Sequence, residues 1–413
     1  MTMKTLKGAA LVGQSGGPTS VINSSLYGVV KTALENENIT RVLGMSHGIT
    51  GVLNDQLFDF GKEDPNELAR LPYTPSSAAG SCRYKMKDPA VDPTDYERIL
   101  EIFKKYDIRY FFYIGGNDSM DTCQKVSAFM AKSGYECNVI GVPKTIDNDL
   151  FGTDHCPGYG SAAKYIATTM MELYLDATVY DSGMVTVVEI MGRNAGWLTA
   201  AASLAGEYGP DLVYLPEVVF DMDAFLDDVQ RIYDAKKKVI VAVSEGVKDK
   251  DGKYISEYGS SIASSKDAFG HAQMGGLALT LTGFVKSRIN TKVRGIELSL
   301  LQRCAAHTAS GTDIEEAFMV GKTAVESAVS GITGRMAAII REDGDVYSSK
   351  VELVPLEDVA NYEKKVPLEW IGENGSGMSK EFFDYALPLI QGETGLGKEN
   401  GLPRFAKLKK EII

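Results

Sequence analysis

The chain reads FFYIGGNDSMDT from Phe111 to Thr122 and VIGVPKTIDND from Val139 to Asp149. Each stretch begins with an apolar, β-rich run and continues into a polar loop. Apolar runs bounded by glycine and proline are typical of buried parallel strands. Open α/β sheets bind their ligands in the loops at the carboxyl ends of such strands. The two stretches therefore predict two strands of an α/β sheet whose loops form a ligand site.

The residue types in these two loops favour phosphoryl transfer. The first loop, from Gly115 to Ser119, offers backbone N–H groups to a phosphate and oxygen ligands to Mg²⁺. The second loop adds one cation, Lys144, and two carboxylates, Asp147 and Asp149. Phosphoryl transfer needs both kinds of group, because charge must be neutralised while a hydroxyl loses its proton.

Length and composition predict a globular enzyme of two domains with elaborations. The chain has 413 residues, of which 44% are hydrophobic and 24% are charged. Its net charge of −12 argues against binding to nucleic acid or to a membrane surface, because both need basic patches. An anionic small substrate is still compatible with this charge, since single loops can be basic on an acidic protein.

The cysteines and the amino-terminal residues indicate a cytoplasmic protein. The five cysteines are odd in number and lack metal-ligand spacing, which predicts reduced thiols. No apolar run of 18 residues occurs, and the first eight residues lack the apolar segment of a signal peptide.

Strands and helices alternate along most of the chain, which predicts parallel sheets. We expect an α/β fold of two Rossmann-like, doubly wound domains with mainly parallel sheets and an active site in the cleft between them. The predicted first domain comprises residues 1–158 with about 303–350. Residues 159–302 form the predicted second domain, and residues 351–413 form a carboxyl-terminal extension whose sequence indicates no function.

Three further segments each have two interpretations at this stage. The turn Gly13–Ser20 is either a simple tight turn or an anion site at a helix N-terminus, with Ser20 as the N-cap. Arg83 is either a solvated surface residue or a bidentate phosphate ligand. Arg294 and Arg303, in an otherwise apolar segment, either pair with carboxylates or bind an anion.

Taken together and in order, these motifs resemble the phosphofructokinase family over roughly residues 5 to 345. The proline-lysine-threonine-isoleucine loop that ends in Asp147, Asn148 and Asp149, followed by Met191-Gly192-Arg193, is the most specific part of the resemblance. The other matching elements are Ser15-Gly16-Gly17, Gly80-Ser81-Cys82-Arg83, Gly115 to Ser119, Pro216-Glu217 and Gln302-Arg303.

Within the family, the sequence resembles the branch that uses diphosphate as phosphoryl donor. Members that use ATP tend to have glycine at the positions of Asp118 and Lys144. A side chain at residue 118 collides with the α-phosphate of a nucleotide. A carboxylate about 4 Å from a phosphate also repels it by roughly 4 kcal/mol at an effective dielectric constant of 20. Lys144, in contrast, can neutralise the phosphate that leaves.

The resemblance implies roles for individual residues. Asp147 is the implied general base, and Asp149 is implied to orient it. The resemblance implies that Gly16, Gly17, Thr145 and Lys144 surround the transferred phosphoryl group and that Arg83 and Arg193 neutralise its charge. It implies that Asn117, Asp118 and Asp149 hold Mg²⁺. It also implies that Met191, Gly192 and Glu217 contact the sugar and that Arg294 and Arg303 bind its 6-phosphate.

The implied reaction converts diphosphate and fructose 6-phosphate into phosphate and fructose 1,6-bisphosphate, a readily reversible step of glycolysis and gluconeogenesis. The family resemblance also implies a homodimer or homotetramer. Two alternatives stay open: an ATP-dependent 6-phosphofructokinase, and a non-catalytic subunit that binds sugar phosphate. Intact Asp147, Asp149 and Arg193 speak against the second alternative.

The sequence also departs from the family pattern. Asn117 stands where members usually have aspartate, which weakens this position as a Mg²⁺ ligand. Tyr27 and Lys31 stand where allosteric members have arginines, so we expect little control by nucleotides. The segment Asp267–His271 either caps a helix that begins near Gln273 or lies near the sugar pocket.

Overall fold

The structure, a computed structural model, describes residues 5–259, 276–360, 362–372 and 376–413. The segment Asp267–His271, with its predicted helix cap, lies outside the described residues. The strands, in chain order, are β1 Gly8–Gln14, β2 Ile39–Met45, β3 Leu57–Asp59, β4 Ile108–Gly115, β5 Asn138–Pro143, β6 Met184–Ile190, β7 Leu212–Tyr214, β8 Lys238–Ser244, β9 Lys292–Glu297, β10 Arg335–Arg341, β11 Ser349–Pro355, β12 Lys398–Glu399 and β13 Leu402–Pro403.

Helices connect these strands and cover both faces of the two main sheets. They are α1 Ile22–Leu34, α2 Ile49–Leu53, α3 Pro65–Leu68, α4 Thr94–Tyr106, α5 Asn117–Lys132, α6 Tyr159–Thr178, α7 Trp197–Ala201, α8 Met222–Lys236, α9 Leu277–Arg288, α10 Gly311–Val329, α11 Leu356–Val359 and α12 Lys380–Ala386. Among the described residues, the structure has no helix of the length and apolarity that crossing a lipid bilayer requires.

Two mainly parallel sheets form the framework, which confirms the predicted fold class. The first has the strand order β11-β10-β5-β4-β1-β2-β3, with antiparallel pairing only at its two edges. The second has the order β7-β8-β6-β9 and is parallel throughout. In the first sheet the order reverses between β4 and β1, so the loops after these strands diverge and leave a crevice at their carboxyl ends.

The apolar run that opens β4 is buried on both faces of the first sheet. Tyr110, Phe112 and Ile114 pack into one hydrophobic cluster, whereas Phe111 and Tyr113 pack into the cluster on the opposite face. Successive side chains of a strand point to opposite faces, so a continuous apolar run is what a doubly covered strand requires.

The chain returns from the second sheet to the first through α10, which packs closely on α1. A Cβ atom on Gly28 would lie 2.2 Å from the carbonyl oxygen of Phe318, and one on Gly321 would lie 2.2 Å from that of Ser25. Only glycine at these two positions permits the helices to approach so closely.

The structure differs from the sequence-based expectation at two places. Helix α1 begins at Ile22 with Val21 as N-cap, so the prediction of Ser20 as N-cap is wrong; the Oγ1 atom of Thr19 instead accepts a hydrogen bond from the Val21 N–H. The predicted extension also begins inside β11. Its later residues run along both sheets, with bridges from Ser376 to β7 and from Ile412 to β3.

Candidate active site

A cavity of about 590 Å³ lies where the carboxyl-end loops of the two sheets converge. Loops after β1, β4 and β5 contribute from the first sheet, and loops after β6 and β8 contribute from the second. Most of the predicted site residues line this cavity, and three do not. Those that line it are Gly16, Gly17, Arg83, Asn117, Asp118, Lys144, Thr145, Asp147, Asp149, Met191, Arg193 and Arg303.

The loop after β1 is held against the Arg83 segment and against Lys144. Gly16 has a φ of +75°, its N–H donates to the carbonyl of Cys82 at 3.1 Å, and its own carbonyl accepts from Ser81 Oγ at 2.7 Å. Lys144 Nζ donates to the carbonyl of Gly17 at 2.5 Å. The loop is therefore fixed by contacts from two distant segments, and Arg83 reaches the cavity because of them.

The loop after β5 turns so that its two aspartates face the cavity. Asn148 between them has a φ of +56° and is fully buried. Its Oδ1 accepts from the Cys156 N–H at 2.9 Å, and its Nδ2 donates to the Tyr385 hydroxyl at 2.8 Å. Asn148 thus anchors the loop from behind, and the N–H of Asp147 donates to Thr145 Oγ1 at 3.1 Å.

Burial shifts the protonation equilibria of this loop. It raises the pKa of Asp147, although Lys144 and Arg193 oppose the shift. Burial, together with the charges of Asp147 and Glu363, raises the pKa of Asp149 to about 7. Burial lowers the pKa of Lys144 to about 8 against the attraction of Asp147. Aspartates with raised pKa values accept protons more readily near neutral pH, as a general base must.

The residues present fit a Mg²⁺ ion that is shared with a phosphate ligand. In the part of the chain that the structure describes, no three His, Cys, Asp or Glu side chains come together as ligands for a metal ion. Asn117 Oδ1, however, is buried without a hydrogen-bond partner among the described residues, and Asp118 keeps 39% of its side chain exposed at 3.7 Å from Lys85. Mg²⁺ usually takes one or two carboxylates and completes its shell with substrate phosphates and water.

The second sheet contributes a wall that joins the loops after β6 and β8. The Met191 N–H donates to Gln302 Oε1 at 3.2 Å, next to Arg303. Gly192 has a φ of +140°, and its N–H donates to Glu245 Oε1 at 3.4 Å. Burial, with a contribution from the charge of Asp147, raises the pKa of Glu245 to about 7.

Two arginines, Arg83 from the segment after β3 and Arg303 from the segment after β9, lie close to the glycine-rich turn after β1. A Cβ atom on Gly17 would lie 3.0 Å from Arg303 Nη1 and 3.9 Å from Arg83 Nη2. Burial and the charge of Arg83 lower the pKa of Arg303. Two guanidinium groups held this close to a glycine-rich turn form a site for a multiply charged anion.

Three predicted site residues do not line the cavity. Gly192 lies directly behind Met191 and supports Glu245. Glu217 is buried under the wall, where its Oε1 accepts from the N–H groups of Gly196 at 2.9 Å and Val366 at 3.0 Å. Arg294 lies on β9 with 42% of its side chain exposed and pairs with Asp176 at 3.2 Å.

The cavity also contains residues that were not among the predicted site residues, including Glu245, Asn194 and Glu363. Glu245 directly follows the buried strand β8, so the rule that ligands bind at strand carboxyl ends could have found it. Asn194 directly follows the Met191-Gly192-Arg193 motif. Glu363 has no such signal, because it lies in the extension, far from the motifs in the sequence.

Comparisons with known proteins agree with this geometry. The sequence profile described as Phosphofructokinase matches residues 9–296. A pyrophosphate–fructose 6-phosphate 1-phosphotransferase from Halomonas elongata is 45% identical over 410 residues, which cover 98% of this chain and 97% of the relative.

Two solved structures are similar over nearly the whole chain. The crystal structure of a pyrophosphate-dependent phosphofructokinase from Marinobacter aquaeolei has a TM-score of 0.89 at 39% identity and covers 98% of this chain and 97% of its own. That of a pyrophosphate-dependent phosphofructokinase from Nitrosospira multiformis has a TM-score of 0.89 at 40% identity and covers 98% of each chain.

Proposed function

The chain belongs to the phosphofructokinase family, and from this premise we propose that it transfers a phosphoryl group from diphosphate to O1 of fructose 6-phosphate. The products are fructose 1,6-bisphosphate and phosphate, and the enzyme is a phosphotransferase. Three relatives named pyrophosphate–fructose 6-phosphate 1-phosphotransferase match nearly the full length of this chain at 42% to 45% identity. These matches support diphosphate rather than ATP as donor.

The observation that carries the donor assignment is the position of Asp118 and Lys144 in one cavity with Asp147. Lys144 is buried and lies against the Gly17 carbonyl, so an ammonium group occupies the space beside the glycine-rich turn. A short inorganic donor ends at this cation. A nucleotide would have to continue past the side chain of Asp118, which occupies space that its α-phosphate needs. This geometry disfavours the ATP-dependent alternative.

The reaction follows from the residues around the second aspartate loop. Asp147 accepts the proton of the 1-hydroxyl while O1 attacks the terminal phosphorus atom of diphosphate. The new O1–P bond forms as the bridging P–O bond breaks, and the bonding electrons leave with phosphate. Arg83 and Arg193 neutralise the charge on the transferred group, and Lys144 neutralises the leaving phosphate.

A divalent cation, for which we propose Mg²⁺, would be held by Asn117, Asp118 and Asp149 together with the phosphate oxygens. When bound, it supplies positive charge to the diphosphate.

The sugar phosphate lies, in this proposal, against the wall formed by Met191 and Glu245, with its 6-phosphate on Arg303. Arg294 lies outside the cavity of its own chain. A role for Arg294 in holding the 6-phosphate therefore requires a second copy that receives it, in the predicted homodimer or homotetramer. The cytoplasmic location stays a prediction.

A coupled assay with fructose 6-phosphate and Mg²⁺, offering diphosphate or ATP in turn, tests the proposal. We expect turnover with diphosphate and none with ATP. Turnover with ATP alone would reject the donor assignment. The double variant Asp118→Gly, Lys144→Gly removes both obstacles to a nucleotide, so it should gain measurable ATP use, with the single variant Asp118→Gly as the intermediate case.

A further inference from the structure

The residues from Tyr362 to Val366, which we call the strap, lie along the loop after β5 that carries Asp147 and Asp149, here called the catalytic loop. Glu363 forms an antiparallel bridge with Leu150, directly after Asp149. The N–H of Lys364 donates to the carbonyl of Asp149 itself at 2.8 Å. The main chain of the predicted extension is therefore hydrogen-bonded to one of the two aspartates that face the cavity.

The strap is also fixed to the loops of the second sheet. The indole N–H of Trp197 donates to the Lys364 carbonyl at 2.9 Å, and the Val366 N–H donates to Glu217 Oε1 at 3.0 Å. Lys364 Nζ donates to the Thr153 carbonyl at 3.3 Å. Bonds on both sides hold the main chain of the strap in one position, so the side chains that it carries are held there as well.

Glu363 is the strap residue that reaches the cavity. Its Oε1 accepts a hydrogen bond from Asn194 Nδ2 at 2.9 Å. Asn194 directly follows Arg193 in the loop after β6, on the side of the cavity that the second sheet forms. The Glu363 carboxylate thus lies beside the loop after β6, on the side of the cavity that the second sheet forms.

A carboxylate at this position has few possible partners, because both substrates of the proposed reaction carry phosphate. The carboxylate repels a phosphate oxygen, so its favourable partners are a cation or a neutral hydroxyl group. Asn194 beside it adds amide groups, and a carboxylate next to an amide is a suitable set of acceptors and donors for sugar hydroxyls.

We propose that Glu363, held beside Asn194 by the strap, is a specificity-determining residue that accepts a hydrogen bond from a hydroxyl group of the sugar acceptor. The proposal rests on the proposed function and assigns the extension a part of the active site. Glu363 binds and orients the sugar acceptor, and Asp147 remains the general base that accepts the proton.

Steady-state kinetics of Glu363→Ala and Glu363→Gln test this assignment, with the exposed carboxylate Glu369 of the same extension as matched control in Glu369→Gln. A hydrogen bond to a charged group is worth about tenfold or more in affinity. We expect the KM for fructose 6-phosphate to rise about tenfold in Glu363→Ala and less in Glu363→Gln. The KM for diphosphate and all constants of Glu369→Gln should change less than about twofold.

Deoxy analogues of fructose 6-phosphate, each lacking one hydroxyl other than that at C1, separate a direct contact from a structural effect. For one analogue, the KM of wild-type enzyme should rise by about the same factor as the KM of Glu363→Ala rises with fructose 6-phosphate. With that analogue, Glu363→Ala should have the same KM as wild-type enzyme, because the same hydrogen bond cannot be lost twice. Additive losses for every analogue would overturn the proposal.

The same variants distinguish the alternatives. An unchanged KM for fructose 6-phosphate with an increased Mg²⁺ requirement would assign Glu363 to the cation and overturn the proposal. Equal increases for both substrates would show a general disturbance of the loop and also overturn it. Wild-type turnover with diphosphate is measured alongside, so failure of the proposed function itself would appear separately as an inactive wild type.

Discussion

At the scale of single residues, Asp147 is defined by what surrounds it. Its carboxylate lies among the charges of a lysine, three arginines and a second aspartate, on a loop that Asn148 fixes from behind. The positive groups keep the charged form available, while burial keeps its affinity for a proton high. This combination suits a base that must gain and lose a proton in each turnover.

Substitution of Asp147 by asparagine should therefore remove chemistry and leave binding. We expect kcat to fall about 10³-fold, within the range for a lost general base, with KM for both substrates changed less than about threefold. Steady-state kinetics measure both constants, and Asp251→Asn, on an exposed loop, is the control. A KM increase as large as the loss of kcat would assign Asp147 to binding instead.

The dependence of kcat/KM on pH should have two limits set by this loop. The base works only when deprotonated, so activity should fall with decreasing pH through a pKa above the ordinary aspartate value of about 3.9. Lys144 works only when charged, so activity should also fall as pH rises through about 8. Lys144→Arg keeps the charge at higher pH and should remove the alkaline limit; an unchanged alkaline limit would exclude Lys144 as its cause.

Several of the predicted site residues reach the cavity from motifs that directly follow a strand. Asp118, Lys144 and Arg193 all come within four residues of a buried strand, and all three line the cavity. Glu217 also follows a strand but points under the wall, because the N–H groups of Gly196 and Val366 bind its carboxylate there. No periodicity in a sequence reveals such partners, since they come from distant parts of the chain.

At the scale of elements, the segment that follows the catalytic loop ends in a buried ionic cluster. His155 lies 2.8 Å from Asp154 and 2.6 Å from Glu316 on α10, and it is almost fully buried. Although burial lowers the pKa of His155, these two carboxylates raise it to about 9. Arg341 on β10 joins the cluster through Asp154 at 3.1 Å. The cluster therefore connects the segment after β5 with α10 and β10.

Loss of the imidazole should destabilise the fold in a manner that depends on pH. We expect His155→Gln to lower the free energy of unfolding by about 3 kcal/mol at pH 7, because the buried carboxylate of Glu316 loses its cationic partner and Asp154 keeps only Arg341. The folded pKa of about 9 lies above the unfolded value of about 6.5. The contribution of His155 is therefore complete below about pH 6.5 and lost as pH rises through about 9.

Urea unfolding at several pH values measures this contribution, with the exposed His307→Gln as the matched control. The difference between wild type and His155→Gln should shrink as pH rises from about 6.5 to about 9, by about the amount that the shifted pKa represents. A difference that stays constant between pH 6 and pH 10 would mean that packing, and not charge, accounts for the effect.

Most elements could be predicted because their hydrophobic patterns are local. The amphipathic pattern of Met222–Lys236 coincides with α8, and the apolar, β-rich run Val185–Ile190 lies within β6. The extension was not predictable, because its short helices and strands have little periodicity of their own. Their positions follow from contacts with the two sheets, such as the bridge between Tyr214 and Ser376.

At the scale of the whole molecule, the α1–α10 contact joins segments almost 300 residues apart. It brings the chain back to the first sheet after the second sheet is complete, so both walls of the cavity depend on it. The two glycines at the crossing lie opposite backbone carbonyl groups, which cannot move aside as a flexible side chain can.

A methyl group at this crossing should separate the helices. We expect Gly321→Ala to lower the free energy of unfolding by about 3 kcal/mol, since its Cβ would lie 2.2 Å from the Ser25 carbonyl oxygen. Gly283→Ala is the control on α9, where no described atom outside the helix's own backbone lies within 4 Å of the added methyl group. This control should be stabilised slightly, by about 0.5–1 kcal/mol. Chemical unfolding compares the two, and equal stability would contradict the close approach.

The strap has a consequence for the time at which a newly made molecule becomes active. During synthesis on the ribosome, both sheets emerge before Glu363 and Lys364 do, so a nascent chain can assemble its framework while one side of the catalytic loop is still uncovered. Full affinity for the sugar acceptor then arrives late in translation, after the two main sheets have folded. A nascent chain in which only the residues before Tyr362 have left the exit tunnel would display both main sheets without the strap.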